Sequence, residues 1–152
     1  MPDSEGCRYL LTFVDRFTRW PEAFPVQDMS STTCARVFIR QWLPRYGIPD
    51  DNVTDRGSQF LGGAWKELML LLGIHTMATT AYHPQCNGLV ERMHRQLKAS
   101  VRARLVDSGW QDCLPLVLLG LRSAWKIGPD AAPAEMLYGT LLRLPGEFVT
   151  AP

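Results

Sequence analysis

Two acidic residues, Asp55 in TDRGSQF and Glu91 in NGLVERMHRQLK, are the side chains of this chain best suited to carry chemistry. Carboxylates are hard oxygen donors, and hard divalent cations prefer oxygen ligands. Where two acids converge they can hold two metals about 3.5–4 Å apart, which activate an attacking oxygen and stabilise a leaving one during phosphoryl transfer. Each acid also has a plain structural role. Asp55 can open a turn, and Glu91 can sit near a helix N-terminus, where the helix dipole favours a negative charge. The elements around them decide between these readings.

RYLLTFVDRF has the β-branched and aromatic content of a largely buried strand. TRWPEAFPV reads as a second strand, with Pro21 and Pro25 marking an edge, so the two form a hairpin or meander. SSTTCARVFIRQWLPRYG predicts an amphipathic helix: Ser30 or Ser31 caps it, Ala35, Phe38, Ile39, Trp42 and Tyr46 supply the apolar face, and Gly47 ends it despite Pro44. NVTD, residues 52–55, predicts a short strand with Asp55 at its C-terminal end. RGSQ then reads as a turn, and GGAWKELMLLLG as a helix closing at Gly73. IHTMAT, residues 74–79, is a further strand, and TAYHPQCNG a loop of turn formers.

From Leu89 to about Asp107 the residues Val90, Met93, Leu97, Val101 and Leu105 recur at helical spacing, which predicts a long helix with Glu91 in its first turn. Another helix covers Trp110 to about Lys126 with Pro115 in its first turns, and a short one begins near Pro133. Strands first, then alternating helix and strand, then helices describe an α/β domain without internal repeats.

The chain has 152 residues, 46% of them hydrophobic, which suits one compact domain burying roughly two-thirds of its unfolded surface. It has no apolar run of about 18 residues and no signal-peptide pattern, so no membrane partner is expected. Cys7, Cys34, Cys86 and Cys113 are scattered and read as free thiols. His75 and His94 have no cysteines at zinc spacing, so no zinc is assigned.

A net charge of +1 makes no general case for nucleic acid, so any such case must be local. It lies on the long helix. Glu91, Arg95, Lys98 and Arg102 follow at i, i+4, i+7 and i+11 on a face distinct from the apolar stripe, and form a basic ridge leading away from the acid. Such a ridge can neutralise phosphates, although an ordinary solvated face with Glu91 paired to Arg95 is the plainer alternative. His83, Gln85 and Asn87 in the preceding loop offer further polar contacts to DNA, and Asn87 with Gly88 permits the turn.

Thirty-five residues separate Asp55 from Glu91, and the segments TDRGSQF and YHPQCNGLVERMHRQLK resemble the second and third acidic motifs of gypsy-type retrotransposon and retroviral integrases. YLLTFVDRFTRWPEAFPV, WLPRYGIPDDNV, WQDCLPLVLLGLRSAWK and PAEMLYGTLLRLPGEF extend the resemblance over nearly the whole chain. It implies a ribonuclease H-like fold, a mixed five-stranded sheet flanked by helices, with three acids holding Mg2+ or Mn2+. Asp55 and Glu91 match the last two. The implied activity is DNA integration as a metal-dependent polynucleotidyl transferase: water trims a DNA 3′ end, and the new 3′-hydroxyl attacks the target strand. The implied partners are element ends, target DNA and further copies in a homo-oligomer, and the implied location is nuclear.

In that family the first acid lies on a strand preceding a turn that MPDSEG resembles, roughly twenty residues before Asp15. RYLLTFVD is then the family's second strand, and residues 1–152 read as a catalytic core truncated at its N-terminus. Asp15 is the candidate substitute ligand. Its local alternatives are an ion pair with Arg16 or Arg19, or a turn at the strand end. The absent strand is central in this fold, lying between the second and fourth, so its loss leaves unpaired backbone and predicts aggregation of protein with these limits. Met1 is accordingly expected to be an internal start. Cys86 replaces a small polar residue, and Ala132 stands where a serine N-cap is common, loosening the last helix by roughly 1 kcal/mol. Two other functions stay open: a catalytically dead remnant that binds DNA or a partner, and a ribonuclease H proper.

Overall fold

The structure, a computed structural model, describes residues 2–79, 84–104, 109–124 and 131–145, with backbone alone at 84–87 and 104. Strands β1 (Tyr9–Val14) and β2 (Pro21–Val26) pair in a two-stranded sheet. Their connection is far too short for a parallel crossover, so they form the expected hairpin.

Two compact units follow. The first comprises Met1–Leu11 and Phe24–Arg92. Its leading helix is built in three parts: α1 (Ser31–Val37), a π-helical turn Phe38–Trp42, and α2 (Leu43–Tyr46). Ser30 caps it as expected, its hydroxyl accepting from the Thr33 N–H at 3.2 Å. The π turn is a departure from the regular helix read in the sequence, and it ends two residues before Pro44. A proline cannot donate to the ladder and crowds the carbonyl four residues back, so widening the preceding turn accommodates it.

Strands β3 (Asp51–Thr54) and β4 (His75–Ala78) run parallel, with Asp51 opposite His75 and Thr54 opposite Ala78. The crossover between them carries α3 (Ser58–Leu61) and α4 (Gly63–Leu71). RGSQ is therefore not a simple turn, since a short helix starts inside it at Ser58. The core of this unit gathers around Trp65, which packs edge-on to Phe38 at 5.5 Å and to Phe60 at 5.2 Å between ring centroids. Cys34, Met69 and Ile74 are buried with it. The Trp65 backbone N–H donates to the Ser31 hydroxyl at 2.8 Å, and a Cβ at Gly62 would fall 2.5 Å from that of Ser31. Only glycine lets the crossover approach α1 so closely.

The second unit comprises Thr12–Ala23 and Met93–Pro152. The long helix α5 (Pro84–Arg104) passes into it, followed by α6 (Trp110–Ala124) and α7 (Pro133–Tyr138). Helix α5 begins five residues before the expected Leu89. Proline is tolerated in a first helical turn because its missing N–H has no acceptor there, so Pro84 begins the helix and does not delay it. The buried stripe is Leu89, Met93, Leu97 and Val101. Val90 is only half-buried, and Leu105 lies outside the described residues. Leu97 and Met93 each contribute about 2 kcal/mol of burial.

Trp110, Leu114, Val117, Leu118 and Leu121 give α6 an apolar face despite Pro115 within it. Ala132 has no side-chain oxygen to cap α7. Glu135 supplies the reciprocal half of a cap, its Oε2 accepting from the Ala132 N–H at 2.7 Å. Among the described residues the strands form two separate pairs in place of one five-stranded sheet.

Candidate functional site

Asp55 is the first residue beyond β3, at the C-terminal end of that strand. The ladder closes beside it: Thr79 donates to the Thr54 carbonyl through its N–H at 2.9 Å and through its hydroxyl at 3.3 Å. The Asp55 Oδ1 accepts from the Gly57 N–H at 2.8 Å, a local turn that aims the carboxylate. A Cβ on Gly57 would lie 2.8 Å from that oxygen and 2.5 Å from the Gln59 amide, so this turn tolerates no side chain at 57 without movement.

Glu91 lies in the second turn of α5, one turn deeper than expected because the helix starts at Pro84. Both carboxylates are exposed, and among the described residues neither joins an ion pair. Exposed oxygen donors without a protein cation are the donor chemistry that magnesium or manganese takes. Among the described residues no group of three or more acids, histidines and cysteines is gathered to hold a metal.

Asp15 serves its own turn. Its Oδ2 accepts from the Thr18 N–H at 2.7 Å and from the Thr18 hydroxyl at 2.6 Å. Of the local roles open to it in the sequence, the strand-end turn is the one formed. Asp3 likewise binds locally, to the Gly6 N–H and the Arg8 guanidinium, both at 3.1 Å.

On α5, Arg95, Lys98 and Arg102 are all exposed, while Met93, Leu97 and Val101 are buried. Arg92 is exposed as well. It was passed over in the sequence although its i, i+3 spacing to Arg95 was visible there. His94 points elsewhere, with its Nε2 lying 2.6 Å from the Thr12 hydroxyl, and so ties the hairpin to α5 within the second unit. His83 lies outside the described residues, and Gln85 and Asn87 fall in the first turn of α5 with their side chains likewise outside. The TAYHPQCNG segment is thus partly helical.

Among the described residues, Asp28 and Cys34 titrate away from their ordinary values. The Asp28 carboxyl is held below 3.8 by hydrogen bonds from Ser30, chiefly its hydroxyl, ahead of α1. Burial pushes the Cys34 thiol up to about 11, with the Asp28 charge adding to it. Cys7, Cys34 and Cys113 are free thiols, as expected, and Cys86 is outside the described side chains. No helix among the described residues is long and apolar enough to cross a membrane.

Residues 1–84 match a family described as integrase core domain. The Gag-Pol polyprotein of Feline leukemia virus is 37% identical over 142 residues, covering 91% of this chain. The chain spans only 8% of that polyprotein's length. Among solved structures, the catalytic core domain of BIV integrase superposes with a TM-score of 0.72 at 26% identity, over 86% of each chain. The HTLV-2 integrase catalytic core domain in complex with magnesium, in its trimeric form, gives 0.69 at 20% identity, over 84% of this chain and 82% of that one. The likeness to the HTLV-2 core shows the shared ribonuclease H-like fold.

Proposed function

Because the chain belongs to the integrase core domain family, we propose that it serves DNA integration as a metal-dependent polynucleotidyl transferase core, with Asp55 and Glu91 as the carboxylates that hold Mg2+ or Mn2+. The observation that carries this is Asp55: an exposed acid at the end of a parallel strand, set by a hydrogen bond from the Gly57 N–H, where a Cβ would displace the carboxylate and the Gln59 amide. That the HTLV-2 core was solved with magnesium supports the choice of cation.

When bound, such a cation supplies charge stabilisation to the phosphoryl group being transferred. The chain's own part is to hold and orient. Gly57 fixes the rotamer of Asp55, and α5 carries Glu91 on the same face as Arg95, Lys98 and Arg102. Those three cations neutralise backbone phosphates of a DNA end. The protein works as a homo-oligomer on element ends and target DNA, and acts in the nucleus. Dimeric and trimeric forms of the HTLV-2 core support the first of these.

A second reading has its own support. Asp15 is committed to Thr18, and among the described residues no three acids, histidines or cysteines gather to hold a metal. On that reading the chain binds DNA without turning it over. A strand-transfer assay on oligonucleotides with magnesium or manganese separates the two, using this chain, an upstream-extended chain, and Asp55→Asn and Glu91→Gln variants. Activity that survives both substitutions rejects the carboxylate mechanism. Activity abolished by either substitution supports it, and retained DNA binding with no transfer in any form of the chain supports the second reading.

A further inference from the structure

The turn joining β1 to β2 combines features that the proposed carboxylate chemistry and the α5 ridge leave unused. Phe17 is 79% exposed at its tip, flanked by exposed Arg16 and half-buried Arg19. Among the described residues neither arginine has an acidic partner. An aromatic ring in water beside two uncommitted guanidinium groups gains nothing for the fold, since its apolar area stays unburied.

The turn is nevertheless held rigidly. Asp15 and Trp20 are bridged by N–H to carbonyl at 3.0 Å, and the Arg19 N–H donates to the Asp15 carbonyl at 2.8 Å. Thr18, itself buried, donates twice to the Asp15 carboxylate and accepts from the Trp20 N–H at 3.2 Å. Arg19 takes a left-handed φ of 64°, which a side-chain-bearing residue adopts only when its surroundings over-determine it. The fold thus expends strain and five hydrogen bonds to present an exposed phenyl ring between two cations.

We propose that this tip, Arg16-Phe17-Thr18-Arg19, is a contact for unpaired nucleic acid, with Phe17 stacking on one exposed base and Arg16 and Arg19 engaging the flanking phosphates. The chemistry of the partner follows from the residues. A planar ring needs a planar base free of its duplex neighbours, and each arginine needs an anion. The proposal rests on the DNA-handling reading but concerns a different element from α5, to which the hairpin is bound within the same unit through Thr12 and His94.

The test is fluorescence anisotropy of the full chain with labelled oligothymidylate and with a blunt, fully paired duplex, for wild type, Phe17→Ala, Phe17→Trp, Arg16→Ala and the triple variant Arg95→Ala/Lys98→Ala/Arg102→Ala. Phe17→Ala weakens oligothymidylate binding about tenfold and leaves duplex binding within about twofold, while Phe17→Trp restores it. Arg16→Ala lowers the salt slope on the single strand by about 0.7. Phe17 is exposed, so its variants melt with wild type. If Phe17→Ala binds the single strand as wild type does, the proposal is overturned, whether or not the triple variant loses the duplex. If the triple variant is silent but Phe17→Ala is not, the α5 reading fails and the tip stands. Loss of self-association on Phe17→Ala with no change in nucleic-acid binding would make the tip a protein contact, and also overturns the proposal.

Discussion

Glu22 of β2 and Arg122 of α6, distant in sequence, meet as a buried ion pair with Oε2 2.8 Å from Nη2, the two side chains being 5% and 19% exposed. The pair is fully engaged. Arg122 also donates from Nε and Nη2 to the Pro21 carbonyl at 3.2 and 3.0 Å and lies 4.4 Å over the Trp20 ring. The Trp20 indole in turn donates to the Glu22 Oε1 at 3.2 Å and meets Tyr138 edge-on at 5.3 Å. Removing one partner strands the other charge away from water. Arg122→Met or Glu22→Gln should each destabilise by about 3 kcal/mol in urea unfolding, with the double variant costing clearly less than the two singles together. Additive losses would show that the charges do not depend on each other.

Gly57→Ala places a methyl group against the Asp55 oxygen. The carboxylate must swing away, so strand transfer should fall to near background while the melting temperature moves little. An equal loss in folded fraction would place the effect in the turn and not in the acid.

Asp55→Asn and Glu91→Gln remove charge from exposed positions and so should leave stability within about 0.5 kcal/mol. Metal-dependent transfer should be lost with either substitution. Calorimetric titration with manganese reads the same point without turnover: heat of binding present in wild type should vanish in the double variant.

The exposed cations of α5 set the ionic-strength response on duplex DNA. Each of Arg95→Ala, Lys98→Ala and Arg102→Ala should shallow the slope of log binding constant against log salt by about 0.9, and weaken all sequences alike. A sequence-selective loss would point to base contact in place of phosphate contact.

Cys34 supplies a pH signature. Its folded value, pushed up to about 11 from 9.0, means the unfolded chain ionises first as pH rises. The stability tied to this thiol is therefore intact below about pH 9 and is lost as pH climbs through about 11, amounting to about 2 kcal/mol at that point. Cys34→Ala should flatten the alkaline limb of a stability-against-pH curve. A limb identical to wild type would assign it to other groups.

Most elements were legible because their signals are local. The hairpin could be read from β-branched and aromatic runs, α4 from its glycine borders, and the Met93–Leu97–Val101 stripe from its period. Asp55 could be placed at a strand end for the same reason. What escaped was set by context. RGSQ has turn-forming composition, yet the Gly57 carbonyl accepts from Phe60 and Leu61, and α3 forms from Ser58. Pro84 resembled a loop residue although a first helical turn accommodates it. The Glu22–Arg122 pair gave no signal, since nothing in PEAFPV or LLGLRSAW marks two charges for the interior. Arg16, Phe17 and Arg19 were visible as residues, but only the hydrogen-bonded turn reveals that their exposure is maintained.

The π turn at Phe38–Trp42 makes the first helix a fitting for length changes. A π turn holds one residue more than the α-helical turn it replaces, so excising one residue there would restore regular winding and leave what lies downstream close to its present angle about the axis. The tilted Trp42 and Tyr46 rings, 4.5 Å apart, would keep their side of the helix. A one-residue deletion in this segment would thus draw the approach to Asp55 about 1.5 Å along the axis while hardly turning it.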